Sequence, residues 1–351
     1  MNQRQIDTPA LLLDLDAMER NLTKMARFFG AGPTRLRPHY KNHKCPALAR
    51  RQIDAGAIGM TCATLTEAEA LVSNGITDIL ISSELAGDRK IARYVDLACQ
   101  ADVKAVVDNP RAAAALAAAG RAKGRRLPVL VNVNVGQNRT GAKPGAPVLE
   151  LARQIQSEGL FLRGLMGYEG HVAHLVEGPD KEAAYDLAMG TLMNCRCLLA
   201  ENGIPVEIVS TGGTGTHHLT PRFPGITEFQ AGSYLVMDTE YANTCKDFER
   251  ALTVLGTVIS KTEEERVVVD AGLKSISGEH GMPVVKAHEG LRLRKLNAEH
   301  GIIDVLDSSD PVQVGDTIEI WAHYSDATVN LHERMYGIRN GTVEEILRLE
   351  G

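Results

Sequence analysis

The side chains best suited to chemistry sit in short glycine-rich or charged stretches, each directly after a β-like run. Arg37-Pro38-His39-Tyr40-Lys41-Asn42-His43-Lys44 presents the amine of Lys41 beside Arg37, His39 and Lys44. Neighbouring positive charge and partial burial push an amine pKa down, and such a lysine forms imines with carbonyl compounds. Ser210-Thr211-Gly212-Gly213-Thr214-Gly215-Thr216 and Ala231-Gly232-Ser233-Tyr234 combine backbone N–H groups with hydroxyls, the ingredients of a phosphate cradle. Neither has the spacing of a dinucleotide or NTP loop. A lysine and an anion site together point to pyridoxal phosphate, which needs both. Arg139, in Gly136-Gln137-Asn138-Arg139-Thr140-Gly141, can hold a phenolate or carboxylate. Gly167-Tyr168-Glu169-Gly170-His171-Val172-Ala173-His174 gathers a phenol, a carboxylate and two imidazoles suited to proton transfer.

These stretches converge only if a scaffold brings strand ends together. From Ala10 to about Tyr241, β-rich runs alternate with amphipathic helical ones, the rhythm of βα units. Strands are expected at 35–39, 57–61, 78–82, 103–107, 129–135, 162–167, 206–209 and 228–231. Eight such strands close a (β/α)8 TIM-type barrel, with reactive groups in the loops at their carboxyl ends and phosphate sites after the seventh and eighth. An open doubly wound sheet is the alternative arrangement. Leu15, Met18, Leu22, Met25 and Phe29 predict the first helix, with Asp16 and Glu19 as its capping box. Runs at 252–260, 266–270, 317–322 and 331–339 lack helices between them and predict a second, mostly β domain, to which the surplus run 9–14 is assigned. The expected division is a barrel over 15–243 and a β domain from 1–14 plus 244–351.

Composition narrows the class. The chain has 351 residues, 44% hydrophobic and 23% charged, with 38 basic against 44 acidic side chains and a net charge of -6. That is an ordinary globular balance, which excludes a disordered chain and a basic nucleic-acid binder. No apolar run approaches the roughly 18 residues that span a bilayer. Six cysteines form no C-x-x-C pair, so neither a zinc ribbon nor a disulfide scaffold is expected. The polar stretch 1–9 lacks the pattern of a secretory signal, and a cytoplasmic enzyme is the expectation.

The stretches around Lys41, Arg139 and Tyr168, the two glycine-rich loops, and Asp270-Ala271-Gly272-Leu273-Lys274 occur in this order over nearly the whole chain. Together they resemble the D-threonine aldolase and D-serine dehydratase group of alanine racemase-like pyridoxal phosphate enzymes. The resemblance implies a barrel plus a β domain, a homodimer, and Lys41 as the imine-forming lysine. Arg139 would approach the cofactor's phenolic oxygen, and Ser210, Thr211, Gly212, Gly213, Thr214, Gly232, Ser233 and Tyr234 its phosphate. His39 and Tyr168 are further cofactor-binding candidates, and Tyr168 is also a catalytic one. The group uses a divalent metal held near the end of the chain, where this sequence reads Trp321-Ala322-His323-Tyr324-Ser325-Asp326-Ala327-Thr328-Val329-Asn330-Leu331. His323 and Asp326 are the candidate ligands, three apart where the aldolases of the group have two. Dehydratases of the group resemble zinc enzymes with a cysteine there. No cysteine follows Cys245, which favours Mn²⁺ or Mg²⁺ over Zn²⁺ and an aldolase over a dehydratase. Asn42 stands where the group often has threonine.

The activity so implied is metal-dependent cleavage of a D-configured β-hydroxy-α-amino acid into glycine and an aldehyde, with His174 or His171 as the base. D-Threonine, D-phenylserine and 3-hydroxy-D-aspartate are candidate substrates; Lys44 is the candidate partner of a β-carboxylate. A D-serine or 3-hydroxyaspartate dehydratase is the alternative, with a racemase or a non-catalytic pyridoxal phosphate carrier behind it. The expected partner is the small D-amino acid, with neither nucleic acid nor membrane.

Overall fold

A computed structural model describes residues 2–307 and 312–351. The chain opens with β1 (Ala10–Asp14) and α1 (Leu15–Gly30). The apolar stripe of α1 is buried through Leu15, Met18, Met25 and Phe29. Asp14 starts this helix: its Oδ1 accepts the Ala17 N–H at 3.0 Å. The expected box of Asp16 and Glu19 does not form, because both carboxylates pair with Arg339.

Successive βα units follow: β2 (Arg35–Leu36) and α2 (Pro46–Asp54), β3 (Met60–Cys62) and α3 (Leu65–Ser73), β4 (Asp78–Ile81) and α4 (Asp88–Ala98), β5 (Asp102–Val107) and α5 (Pro110–Ala122). Then come β6 (Pro128–Asn132) and α6 (Ala146–Ser157), β7 (Phe161–Met166) with α7 (Gly170–Ala173) and α8 (Pro179–Glu201), β8 (Ile208–Thr211), and β9 (Glu228–Phe229) before α9 (Thr239–Thr244). Strands β2 to β9 form one parallel eight-stranded sheet. Its ends meet through a bridge between His39 and Thr61, where the Thr61 N–H donates to Pro38 O at 2.8 Å and the Ile58 N–H to Leu36 O at 2.9 Å. The ring closes, and the open-sheet alternative is not what forms.

Alternation along the strands decides what fills the ring. Leu80, Val106, Leu130, Met166 and Ile208, one from each of β4 to β8, form an aliphatic cluster separate from the large one under the helices. Two residues before Leu80 and Val106 the chain carries Asp78 and Lys104, and β9 carries Glu228. Arg37 ties that layer together, donating to both oxygens of Glu228 at 2.9 and 2.8 Å and to Asp78 Oδ1 at 2.7 Å. Lys104 completes it with Asp78 at 2.9 Å and Asp102 at 2.8 Å. Arg37, only 2% exposed, is therefore a structural ion and not one of the cations beside Lys41.

Beyond Cys245 the strands pair mainly antiparallel: β10 (Leu252–Glu263), β11 (Arg266–Val269), β12 (Val284–Val285), β13 (Leu291–Leu296), β14 (Gly301–Val305) and β15 (Thr317–Trp321) precede α10 (Ser325–Val329), β16 (Arg334–Arg339) and β17 (Thr342–Arg348). The sheet runs β13-β14-β11-β10-β1-β16-β17, with β15 pairing β10 and β12. The surplus run is β1, antiparallel to β10 and parallel to β16. Asp270, from the quoted motif, accepts the Thr257 N–H at 2.7 Å and the Thr8 hydroxyl at 2.6 Å, a structural role.

The chain divides into two compact units, one of Met25–Lys41, Leu48–Gly232 and Gly351, the other of Met1–Lys24, Asn42–Ala47 and Ser233–Glu350. The cuts thus fall elsewhere than at 15 and 243. The β unit claims 42–47 because Asn42 and Lys44 bond to residues 325–330, and 233–243 because Asp238 does the same. No helix among the described residues is long and apolar enough to cross a membrane.

Candidate active site

In the barrel unit, β2 runs into a one-turn 3-10 helix, Tyr40–Asn42, which carries Lys41 just past the strand end. Tyr40 is fully buried and anchors the turn. The His39 ring beside it has a defined tautomer. The Ser82 hydroxyl donates to Cys62 O at 3.0 Å, so it accepts from His39 Nε2–H at 3.3 Å, leaving Nδ1 to accept the Lys41 backbone N–H at 3.4 Å. A neutral imidazole is thereby fixed next to the lysine. Lys44, expected as another neighbouring cation, instead belongs to the β unit and donates to Asn330 Oδ1 at 2.7 Å.

The loop after β8 departs from the phosphate cradle expected of it. Glu169 is fully buried and accepts from the Thr211 hydroxyl at 2.8 Å, the Gly212 N–H at 3.2 Å and the Thr216 hydroxyl at 2.6 Å. Ser210 Oγ accepts from Gln230 Nε2 at 2.8 Å. The polar groups of Ser210, Thr211 and Gly212 are thus engaged inside the protein, and Glu169 is a clamp and not a proton carrier. Gly212 has φ +105°, and a Cβ there would lie 2.1 Å from the Phe229 ring, so only glycine turns this corner. Gly213 is the open part of the loop: a Cβ on it would meet the Tyr168 ring at 3.4 Å, ordinary contact. Thr214 and Gly232 lie in the same unit, Thr214 opening the 3-10 helix Thr214–Arg222.

Arg139 is exposed, its guanidinium 5.6 Å from the centroid of the Tyr168 ring. The loop holding it is shaped by Asn134, whose Oδ1 accepts the N–H groups of Gly136 at 3.0 Å and Asn138 at 3.1 Å. Gln137 Oε1 is a buried acceptor without a partner among the described residues. His171 and His174 lie three apart on and just after α7, both exposed; the His171 ring packs over Gly136.

In the β unit, Asp238 caps α9, accepting the Tyr241 N–H at 2.9 Å, and also takes the Ser325 N–H at 2.9 Å and hydroxyl at 2.8 Å. Burial raises its carboxyl to about 6 against these hydrogen bonds. Asn42 Nδ2 donates to Ser325 Oγ at 2.8 Å and Asp326 Oδ1 at 2.9 Å. His323 turns elsewhere, with Nδ1 2.6 Å from the Thr239 hydroxyl and Nε2 against Gly281. Ser233 and Tyr234 belong to this unit, Tyr234 buried with its ring 5.7 Å from that of Phe248.

Residues 13–240 match the Alanine racemase, N-terminal domain family, and 251–338 match a serine dehydratase domain. The chain belongs to the alanine racemase-like family. It is 37% identical over 347 residues to a D-threonine aldolase from Arthrobacter sp., covering 97% of this chain and 92% of the relative. A 3-hydroxy-D-aspartate aldolase from Paracoccus denitrificans is 32% identical, with 99% and 92% covered. The solved D-threonine aldolase from Filomicrobium marinum superposes with TM-score 0.95 at 37% identity, covering 99% of this chain and 96% of that one.

For this alanine racemase-like chain, pyridoxal phosphate fits the residues present: a lysine past β2, a fixed neutral imidazole, the Arg139–Tyr168 pair, an unpartnered acceptor on Gln137 and an open turn at Gly213. His323 and Asp326, at the start of α10, offer an imidazole and a carboxylate, a donor set that suits a divalent ion. Sequence reasoning did not anticipate Ser82, Glu169 as a clamp, or the linkage of Asn42, Ser325 and Asp238; the one signal present was Asn42 in place of threonine.

Proposed function

We propose that the chain is a pyridoxal phosphate-dependent aldehyde-lyase that splits D-configured β-hydroxy-α-amino acids into glycine and an aldehyde. The observation that carries this reading is the full-length similarity to D-threonine and 3-hydroxy-D-aspartate aldolases, combined with a lysine held beside a neutral imidazole at the carboxyl end of the barrel. Lys41 supplies the amine that holds the cofactor. When bound, pyridoxal phosphate accepts the electron pair left on Cα as the Cα–Cβ bond breaks. Arg139, over the Tyr168 ring, offers charged donors to the cofactor's anionic oxygen. Gly213, Thr214, Gly232, Ser233 and Tyr234 remain the phosphate-side candidates once Glu169 has taken Thr211 and Gly212. His174 or His171 removes the β-hydroxyl proton, which turns the carbinol carbon into the aldehyde; a proton delivered to Cα completes glycine. A homodimer in the cytoplasm belongs to the same reading.

A product assay with D-threonine, D-phenylserine and 3-hydroxy-D-aspartate on the cofactor-loaded protein tests it. Glycine with an aldehyde in equal amounts is expected; ketoacid with ammonia would replace the lyase reading by a dehydratase. Lys41→Ala is expected to lose both turnover and the visible absorbance of bound cofactor.

A further inference from the structure

The barrel unit carries a base candidate, His174, on a short bridge between two anchors. From the end of α7 to the start of α8 the chain runs His174-Leu175-Val176-Glu177-Gly178. The first anchor is α7, whose Val172 and Ala173 are buried and donate their N–H groups to Glu169 O at 2.8 and 3.3 Å. Ala173 lies so close to the 3-10 helix Thr214–Arg222 that a Cβ on Gly215 would stand 2.0 Å from Ala173 O. The second anchor is Glu177. Its Oε1 accepts from Lys181 Nζ at 2.6 Å, and its Oε2 lies 3.1 Å from His218 Nε2 on the same 3-10 helix. Leu175 and Val176, between the anchors, are 39% and 75% exposed, so burial of apolar surface does not hold them down. The Glu177 carboxylate is half exposed, but the Lys181 side chain is 0% exposed, and a buried ammonium depends on its counter-charge. His218 leads back to the glycine-rich loop: its ring stands edge-on to that of His217 at 5.5 Å, and the buried His217 has Nδ1 2.9 Å from Thr214 O.

We propose that Glu177 is a positioning residue: bound to Lys181 on α8 and to His218 on the 3-10 helix, it holds the strap 174–176 and so fixes where the His174 imidazole stands. The inference rests on the lyase reading above, which makes His174 a base candidate, and deepens it. A base works only within hydrogen-bond reach of the proton it takes, and a displacement of about 1 Å costs up to about 10²-fold in rate. A carboxylate suits both neighbours, since each presents an N–H; the amide of a glutamine would turn its NH₂ on one of them.

Glu177→Ala would strand the buried ammonium, so the test approaches the carboxylate from its partners. On the cofactor-loaded full-length protein, kcat and KM for D-threonine are measured in wild type, His218→Leu, His218→Gln and Lys181→Met, together with hydrogen–deuterium exchange of the amides of 172–177 by mass spectrometry. His218→Leu and Lys181→Met are expected to lower kcat about ten- to a hundredfold, with KM and cofactor absorbance unchanged, and to speed exchange in the strap. His218→Gln, whose Nε2–H replaces that of the imidazole, is expected to keep the kcat and the exchange of wild type. Wild-type kcat in His218→Leu, an equal loss in His218→Gln, a fall carried by KM or by cofactor release, or unchanged exchange in both disrupting variants would each overturn the proposal. If Lys181→Met fails to fold, the two His218 variants still decide. Wild type that yields ketoacid and ammonia, or no product, would sink the lyase reading, and the exchange rates then decide whether the carboxylate holds the strap.

Discussion

An imidazole that must accept at one nitrogen and donate at the other has a single neutral tautomer, and His39 is in that position between the Lys41 N–H and the Ser82 hydroxyl. The exposed imidazoles of α7 are the candidates for the proton work. His171 packs over Gly136, which limits its travel, whereas His174 follows the helix as its C-cap. Changing each to alanine in turn is expected to lower kcat by about 10²- to 10⁴-fold for the base and by far less for the other. Steady-state kinetics on D-threonine reads this directly. Equal, small losses in both variants would place the base elsewhere. Glu169 shows why such roles are hard to read from residue type alone: a carboxylate between a phenol and an imidazole looks reactive, and only its three buried donors reveal a clamp.

At the scale of elements, the polar layer around Arg37 is the most exposed to a single change. Its guanidinium neutralises Glu228, which is itself buried, so Arg37→Met would leave a carboxylate without its partner in the barrel interior. A loss of about 3–5 kcal/mol is expected from the urea midpoint, and a change under about 1 kcal/mol would show that water or Lys104 replaces the pair. Elements with an aliphatic pattern were legible in the sequence: β4, β5 and β7 lie within one residue of their expected bounds. β13 and β17 were not, because Leu291-Arg292-Leu293-Arg294-Lys295-Leu296 and Thr342–Arg348 keep charged residues on an exposed face and read as loop. The α1 start shifted from Asp16 to Asp14 since both carboxylates satisfy the capping pattern and only the partner Arg339, more than 300 residues on, separates them. Lys41 and the glycine-rich loops were visible as residue types; their hydrogen-bond partners, set by tertiary packing, were not.

In each unit a partly buried acid is held ionised by its partners. Burial alone would raise Asp78, but Arg37 and Lys104 outweigh it and hold its carboxyl below the ordinary value of 3.8. In the β unit burial of Glu319 is likewise outweighed, by Lys286, Gln3 and Thr253, and its carboxyl lies below 4.5. A depressed folded-state pKa contributes stability that is complete above the unfolded value and fades as pH falls through the folded one. In thermal melting from pH 6 downward the contribution of these two groups should therefore hold to about 4.5 and then decline, superposed on the gain from Asp238, whose carboxyl, raised to about 6, takes up a proton in the folded state first. Asp78→Asn and Glu319→Gln should each flatten part of that decline, and unchanged slopes in both would assign it to other groups.

The placement of β1 has a further consequence, for synthesis. Ala10–Asp14 leaves the ribosome well ahead of its two partner strands, which follow about 240 and 320 residues later. Until then an apolar strand, Ala-Leu-Leu-Leu-Asp, has both edges unsatisfied while the barrel segments are already being made. The β unit is thus completed after the barrel segments, and a ribosome stalled before Arg334 releases a product in which β1 still lacks a neighbour.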